Sequence, residues 1–389
     1  GRLDTDRSAR SRLAAMMGPE QLELLLGQLL QPDTVRAAEA TLSRAMKAPQ
    51  FIIELAERLR HSQSPHVRQY AAVLMRRRIG SHWSKLDAAT QQALKATLLE
   101  SVTAEPAHLV RVGVAGVVTV IAKHALPKGE WNELFAGLFQ CSRSAAEDQR
   151  EVAMLLLTSL LEAEEVVECL RPHFETLCSV LHTALGDSSA AVARSALKAV
   201  GSWAMSILES SDDARLLKPM LPAMLQVCGR AVGQGDEETT KLGCGILDDC
   251  VECPAGVVNP HLAALLAFAS DTAKCRRLEK ETCASALNLI ATALVHKRKL
   301  VVKQRLVPPL VLALFEICAE VEEIDEDEDE LSLHKLSAQV LDVLGRHLPS
   351  KHVVPALLEQ VGLHRASECA YRRRAVLVAL AVSAEGCAD

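Results

Sequence analysis

Apolar and polar residues alternate along most of the chain in the pattern of amphipathic helices. In the first such segment, residues 21–30, Leu22, Leu25, Leu26 and Leu29 follow the i, i+3, i+4, i+7 spacing that places them on one helical face. The spacing recurs in 51–60, 86–102, 131–140, 173–185, 216–232, 260–270, 305–321 and 354–363. We therefore predict a series of helices that each have one face to bury.

A second set of segments alternates with the first and is richer in small residues. Each begins near a short polar turn: 64–79, 108–123, 148–162, 190–204, 238–252, 278–294, 333–348 and 370–386. Their central small residues are Ala72, Ala115, Ala153, Ala196, Gly243, Ala284, Ala338 and Ala375. These residues are separated by 43, 38, 43, 47, 41, 54 and 37 positions. A period near 40 to 47 residues is typical of two-helix repeats of the HEAT and armadillo kind. We therefore predict an all-α fold, a right-handed α-solenoid of about nine HEAT repeats over residues 17–389.

One repeat is longer than the others because it contains a run of acidic residues. Nine of the eleven side chains from 320 to 330 are acidic: Glu320, Glu322, Glu323, Asp325, Glu326, Asp327, Glu328, Asp329 and Glu330. Like charges repel one another and stay solvated, so we predict an acidic loop over 320–332 inside the eighth repeat. Such a loop suits a basic partner held against the concave side of a solenoid, although a solvated spacer would give the same pattern.

Composition narrows the class of partner. The formal net charge is −6 and aromatic residues make up 3% of the chain, so neither a dominant basic footprint nor interleaved aromatics favour nucleic acid. Basic protein partners fit better. The longest uninterrupted apolar stretch, near residues 112–122, is shorter than the roughly 20 residues of a bilayer span, so we expect no membrane partner.

The sequence offers no enzyme motif, and we predict no catalytic residue and no cofactor. Twelve cysteines at irregular spacings are typical of reduced thiols that pack as small apolar residues. Cys250 and Cys253 form one CxxC without a second pair, so we predict no metal site.

Two kinds of charged cluster remain open to more than one interpretation. Asp248, Asp249 and Glu252 lie on one helix and form either a solvated face or a concave acidic patch for a basic partner. The basic clusters lie at helix ends, where a favourable interaction with the helix dipole competes with partner contact as an explanation: Arg76–Arg78, Arg276–Arg277, Lys297–Lys299 and Arg372–Arg374.

The two ends of the chain also carry expectations. Residues 1–15 are polar and lack the helical pattern, so we predict a disordered leader or tag there. The last predicted helix is still rich in Val, Leu and Ala, whereas a terminal solenoid repeat usually has a polar cap. We therefore expect a fragment of a longer solenoid.

Several segments resemble the importin-β (karyopherin-β) family of nuclear transport receptors. They include LLLGQLLQPDTVRAAEATL and SPHVRQYAAVLMRRRIGSHWSKL near the start, and RLVPPLVLALFEICAEVEEIDEDEDE later on. The resemblance extends from about Met17 to the end of the chain. It implies a monomeric HEAT-repeat receptor that shuttles between cytoplasm and nucleus and carries basic cargo, such as histones or ribosomal proteins, through the nuclear pore.

The resemblance also implies particular binding regions. Ran-GTP would bind the N-terminal repeats and release cargo, with an N-terminal homology segment at 37–101 and candidate contacts at Arg68, Gln69, Arg76 and Arg77. The acidic loop would touch Ran or cargo, and phenylalanine-glycine nucleoporins would meet apolar slots between outer helices. The alternative is a static HEAT-repeat scaffold subunit with no Ran-regulated cargo.

Overall fold

The computed structural model describes residues 18–320, 332–384 and 386, and every regular element within them is helical. The chain divides into two compact units, one up to Val180 and the other from Leu181. In the first, the helices are α1 (Pro19–Gln28), α2 (Val35–Ala45), α3 (Phe51–His61), α4 (Pro65–His82), α5 (Ala88–Ala104), α6 (His108–Ala125), α7 (Glu133–Cys141), α8 (Glu147–Leu161), α9 (Glu164–Leu170) and α10 (Phe174–Leu185), which contains the boundary.

The second unit continues the same alternation. Its helices are α11 (Ala190–Ile207), α12 (Ser211–Ala214), α13 (Leu221–Gln234), α14 (Glu237–Glu252), α15 (Leu262–Ala273), α16 (Lys280–His296), α17 (Arg298–Lys303), α18 (Val307–Cys318), α19 (Leu333–His347), α20 (Ser350–His364) and α21 (Ala370–Ala384). Short 3₁₀ turns occupy Trp83–Lys85, Leu126–Lys128, Arg171–His173, Arg215–Met220 and Asn259–His261.

First and second helices alternate along the chain, and within each unit a first helix packs on the second helix that follows it. The first helices are α1, α3, α5, α7, α10, α13, α15, α18 and α20, and the second helices are α2, α4, α6, α8, α11, α14, α16, α19 and α21. The predicted all-α fold is confirmed, and both predicted sets agree with the structure to within a few residues. Three short helices, α9, α12 and α17, were not predicted because fewer than two turns show no clear apolar period. The number of repeats and the handedness of the superhelix stay predictions.

Polar residues start the second helices. Ser64, Ser189, Asp236 and Ser332 each precede a second helix, and each side chain accepts a hydrogen bond from the backbone N–H three residues later. This bond satisfies one of the free donors at a helix N-terminus. At these four second helices the polar turn that precedes the helix in the sequence is therefore a helix cap.

Extensive packing is confined to neighbouring pairs. In the first unit α4 packs on α6 and α6 on α8, and in the second unit α11 packs on α14, α14 on α16, and α16 on α19. Small residues set the closeness of packing both between and within pairs: a methyl group added at Gly113 of α6 would lie 3.0 Å from Ala72 Cβ of α4, and one at Gly243 of α14 would collide with the Cys228 sulfur of α13. The glycine and alanine positions of the repeat are thus positions of close approach.

Charged residues bridge one second helix to the start of the next. The basic partner lies in one repeat and the acidic partner about one repeat later: Arg68–Glu105, Arg111–Glu151, Arg194–Asp236, Lys198–Glu238 and Lys241–Glu279. Most of these pairs are partly exposed, and an exposed pair contributes about 0–1 kcal/mol. Arg68–Glu105 is the most buried of them, because its side chains are only 13% and 6% exposed, and Arg111–Glu151 follows at 14% and 21%.

Helix α6 is longer and more apolar than the uninterrupted stretch within it suggested. Residues His108–Lys128 have a mean hydropathy of 1.6 over an 18-residue window, which by length and composition alone could cross a membrane. However, 61% of that window is buried inside the protein. Its apolar residues pack on α4 and α8, so within the described part of the chain α6 is a core helix of the first unit.

The described cysteines are unpaired, and most are buried or half-buried. Burial raises the pKa of Cys228, Cys244 and Cys250 to about 12, so their thiols stay protonated at neutral pH. Within the described ranges no three His, Cys, Asp or Glu side chains are grouped to hold a metal ion.

Candidate functional site

The predicted binding residues lie on two second helices, one in each unit. Arg68, Gln69, Arg76 and Arg77 belong to α4 in the first unit. Asp248, Asp249 and Glu252 belong to the last turns of α14 in the second unit. The two surfaces differ in how many of their charged groups already have a partner within the protein.

Arg68 is tied into the junction between α4 and α6. Its Nε and NH2 donate to the Glu105 carboxylate at 2.7 and 2.8 Å, and NH1 donates to the Ser62 carbonyl at 2.8 Å. Glu105 in turn accepts from the Ala107 backbone N–H at 2.9 Å, next to the start of α6. This bidentate pair occupies the Arg68 guanidinium, which gives Arg68 a structural role in holding two second helices together.

Electrostatics at this junction favour the ionised pair. Burial opposes ionisation of Glu105, but hydrogen bonds from Arg68 and Ala107, together with the charges of Arg68 and Arg111, outweigh it and lower the pKa of the Glu105 carboxyl. The hydrogen bond to Glu105 likewise raises the pKa of Arg68. The pair is therefore fully charged at neutral pH.

The other predicted residues of α4 are more accessible. Gln69 is half-buried, and it lies two turns before Arg76, on the same face of the helix. Arg76 and Arg77 are exposed and have no acidic partner in the described part of the chain. A methyl group at Gly116 would lie 3.0 Å from Arg76 Cδ, so this glycine makes room for the arginine stem on α6. The structure thus presents Arg76 and Arg77 to solvent and engages Arg68 internally.

The acidic residues of α14 fall into two groups with different surroundings. Near the N-terminus of the helix, Asp236 and Glu238 bind Arg194 and Lys198 of α11. At the C-terminal end, Asp248, Asp249 and Glu252 form no ion pair with any Lys or Arg among the residues that the structure describes. We refer to these last three residues as the acidic trio.

The local environment disfavours the charge of Asp248 and Asp249. Burial raises the pKa of Asp248, against a hydrogen bond from Thr292, and one of its carboxylate oxygens is buried without a hydrogen-bond partner among the described residues. Partial burial and the charges of Asp248 and Glu252 raise the pKa of Asp249. A helix C-terminus also carries partial negative charge and favours cations. The trio is therefore placed where a basic partner would relieve unfavourable electrostatics.

Most of the predicted acidic loop lies outside the described residues. Of its nine acidic residues only Glu320 is described, and its carboxylate forms an ion pair with Arg276, while Ser332 at the other end of the loop caps α19. Residues Glu322 to Glu330 and residues 1–15 lie outside the described residues, so what the sequence predicts for them stays a prediction.

A shallow apolar slot lies between two first helices of the second unit. It has a volume of about 310 Å³ and is bounded by α15 and α18, with Leu266, Leu306 and Leu310 among its lining residues. Leu312 also lines it and is 42% exposed, although it lies in a strongly apolar helix. The slot can accept one or two apolar side chains.

The Arg68–Glu105 pair could not be predicted from motifs within one repeat, because its two residues belong to successive repeats. The available signal was the repeat period itself, since Glu105 follows Arg68 by 37 residues. A basic residue whose acidic counterpart recurs one repeat later is a candidate for an internal pair rather than for partner binding.

Comparison with known proteins identifies similar chains. The family described as "Importin-beta N-terminal domain" matches residues 38–104, and the one described as "IPO5-like, TPR repeats" matches residues 106–268. The chain is 29% identical to human importin-4 over 387 residues, which are 95% of the chain and 35% of that protein. It is 30% identical to the probable importin subunit beta-4 of Schizosaccharomyces pombe, over 95% of the chain and 34% of that protein. The chain thus spans about a third of the length of these curated relatives.

Solved structures of Kap121p have the same fold. The free protein matches with a TM-score of 0.79 at 20% identity, over 96% of this chain and 37% of that one. Kap121p bound to RanGTP matches with a TM-score of 0.74 at 20% identity, over 95% and 36%. The predicted solenoid class is confirmed by this likeness.

Proposed function

Because this chain belongs to the importin-β family, we propose that it acts as the N-terminal region of a nuclear import receptor, which binds Ran-GTP and helps to carry basic cargo. On this proposal it moves between cytoplasm and nucleus, and its cargo includes lysine-rich proteins such as histones or ribosomal proteins. The observation that supports the cargo role most directly is the acidic trio. At the start of α14, Asp236 and Glu238 pair with Arg194 and Lys198, whereas these three acids pair with no Lys or Arg among the described residues.

The acidic trio suits lysine-rich cargo for electrostatic reasons. Its carboxylates lie on the face lined by second helices, next to α16, which supplies Thr292 and His296 around Asp248. A cation that docks there offsets the mutual repulsion of these carboxylates. Such contacts contribute mainly association rate and register, and they weaken in salt.

Ran-GTP binding is proposed for the first unit. Kap121p has been solved bound to RanGTP, and the N-terminal family match of this chain includes α4. Exposed Arg76 and Arg77 are the favoured contacts, with Gln69 beside them, because Arg68 is committed to Glu105. Ran-GTP and cargo would then compete, and each would raise the dissociation constant of the other by the same factor.

The nucleotide dependence of Ran binding tests the receptor role. The chain should bind Ran-GTP much more tightly than Ran-GDP, and Arg76→Glu/Arg77→Glu should weaken that binding. The matched control is Arg44→Glu/Lys85→Glu, which changes the same charge at exposed positions elsewhere in the unit. Equal affinity for both nucleotide states would favour the static scaffold instead.

Cargo binding is tested at the acidic trio with a lysine-rich peptide. Asp248→Asn/Asp249→Asn/Glu252→Gln should weaken binding and flatten its salt dependence. The control, Glu57→Gln/Glu175→Gln/Glu359→Gln, removes three exposed charges from first helices and should leave binding unchanged. If both variants bind alike, the trio is a solvated face. Replacing residues 325–330 by Ser and Gly tests the acidic run in the same assay.

Phenylalanine-glycine nucleoporins are proposed to use the slot between α15 and α18. Kap121p has also been solved bound to Nup53p. Leu312→Asp would place a charge at the exposed lip of the slot and should weaken capture of a phenylalanine-glycine peptide. Unchanged capture would exclude this slot.

A further inference from the structure

The second unit contains a basic surface that the import function does not use. Between residues 297 and 305 the chain has five Lys or Arg side chains and no acidic one. Part of this segment forms α17, which follows the end of α16 directly. The chain as a whole carries a net charge of −6, so the positive charge of this segment is a local feature.

Internal hydrogen bonds hold this segment in place. The Lys297 ammonium donates to the Cys253 carbonyl at 3.1 Å, and the Gln304 side-chain amide donates to the Asn259 carbonyl at 3.4 Å. Arg305 closes the segment in a left-handed backbone conformation with φ of 57°. The linker between α16 and α18 is therefore anchored to the preceding repeat at both ends, and the side chains between the anchors are pre-positioned.

Two basic side chains of this segment, Arg298 and Lys299, line a cavity. It has a volume of about 530 Å³ and lies between α17 and the turn from α19 to α20. We name it the basic shelf: its rim is Arg298, Lys299 and Arg346, and its floor is Val302, Leu348 and Pro349. No acidic side chain lines it.

The rim has more positive charge than the protein neutralises. Arg346 pairs with Asp342 at 2.8 Å, one turn earlier in α19. Arg298 and Lys299 are exposed and form no ion pair with the described residues. The hydrogen bond to the Cys253 carbonyl gives the Lys297 ammonium a structural role. Within the described part of the chain, Arg298 and Lys299 have no such bond to account for their charge.

From this arrangement we propose that the basic shelf is a docking site for an acidic peptide segment that carries one or two apolar side chains. Carboxylates of the peptide would pair with Arg298, Lys299 and Arg346, and an aliphatic side chain would cover Val302 and Leu348. Charge complementarity selects the acidic segment, and the floor selects its apolar residue. The cavity lining contains no Phe, Tyr or Trp on which a nucleobase could stack, so a peptide fits better than single-stranded nucleic acid.

The site is chemically opposite to the proposed cargo site. The acidic trio would take a lysine-rich partner, whereas the basic shelf takes an acidic one. Both lie in the second unit, where His296, at the end of α16, interacts with Asp248. The proposal for the shelf does not depend on nuclear import, and loss of one binding activity would leave the other measurable.

Fluorescence anisotropy with the full chain tests the proposal. The probe is a short fluorescein-labelled peptide in which Asp and Glu flank a central leucine pair. It should bind, and binding should weaken as salt is added. Arg298→Glu/Lys299→Glu should weaken it by roughly tenfold or more. Arg298→Gln/Lys299→Gln should have an intermediate effect, and circular dichroism checks the fold of both variants.

Three comparisons decide between occupants. The control variant Arg44→Glu/Lys85→Glu carries the same charge change away from the shelf and should bind the probe as the unmodified chain does. A peptide with serines in place of the leucines should bind more weakly by about tenfold or more, because it leaves the floor uncovered. Single-stranded DNA of equal charge should bind more weakly than the leucine peptide.

Several results would overturn the proposal. They are no binding of the leucine peptide at low salt, equal binding by the shelf and control variants, and equal binding of the serine peptide. Tighter binding of DNA that is lost in Arg298→Glu/Lys299→Glu would assign the shelf to nucleic acid. A dimer that light scattering detects for the unmodified chain, but not for that variant, would assign it to a second copy.

Discussion

Replacing Arg68 by methionine should weaken the first unit far more than the loss of a surface salt bridge does. Methionine keeps much of the aliphatic length of arginine but removes the guanidinium. In the structure that group makes two hydrogen bonds to Glu105 and one to the Ser62 carbonyl. The Glu105 side chain is only 6% exposed, so water cannot easily replace what is removed.

The loss of stability expected for Arg68→Met follows from the burial of this pair. Removing one partner of a buried, hydrogen-bonded ion pair costs about 3–5 kcal/mol, because the other charge is stranded. We expect the lower part of that range, since Arg68 itself is 13% exposed. The double variant Arg68→Met/Glu105→Gln strands no charge and should lose less than the sum of the single variants. Lys198→Met, which breaks an exposed pair with Glu238, should cost about 0–1 kcal/mol.

Hydrogen exchange of the α6 amides, together with urea unfolding, measures these differences. At neutral pH, α6 should lose protection in Arg68→Met and recover part of it in the double variant. The pKa of Glu105 lies below its ordinary value of 4.5, so the stability from the pair is complete above that value and is lost as pH falls through the lowered pKa. If Arg68→Met costs no more than Lys198→Met, the structural role of Arg68 is wrong and the residue is available to a partner.

Three further outcomes are expected. Gly243→Ala should destabilise the second unit by about 1–3 kcal/mol, because the new methyl group meets a buried cysteine sulfur. Gly245→Ala, where the methyl group enters open space, should stabilise the unit by up to about 1 kcal/mol. Thermal unfolding compares the two variants, and equal shifts in melting temperature would contradict the packing. Asp248→Asn/Asp249→Asn should raise thermal stability at neutral pH by about 0.5 kcal/mol or less, because the raised pKa values mean that the ionised carboxylates destabilise the fold, while solvent screens the exposed Asp249; the gain should vanish as pH falls below the ordinary value of 3.8, and a gain that persists there would have another cause. Cys369 should be alkylated by iodoacetamide before any buried cysteine, because it is exposed and a hydrogen bond from the Arg372 backbone N–H lowers the pKa of its thiol. Peptide mass spectrometry measures the order of alkylation, and a buried thiol that reacted first would contradict the prediction.

The repeat architecture could be predicted because it depends on patterns of residues that lie close together in the sequence. Leucine spacing identified the first helices, and central small residues such as Ala72 and Gly243 identified the second ones. Both signals act within a few turns of helix, where the helical period is reliable. The short helices α9, α12 and α17 escaped because they lie in linkers and are positioned by the pairs on either side.

The candidate sites were harder to predict because their character depends on contacts between repeats. Arg68 and Arg76 look alike in sequence, yet one is bound to Glu105 and the other lies exposed over Gly116. Likewise, Lys297 and Arg298 are adjacent, but only Lys297 reaches a carbonyl of the preceding repeat. A partner that lies one repeat away is visible only when the stacking register is known.

The confinement of helix packing to neighbouring pairs has a mechanical consequence. Within each unit, a pull applied along the stack is carried in series, so that every interface bears the same tension. Such a stack yields at its weakest junction while the others keep their contacts. Junctions braced by buried bonds, as between α4 and α6, should then extend last, and those joined only by exposed pairs should give way first.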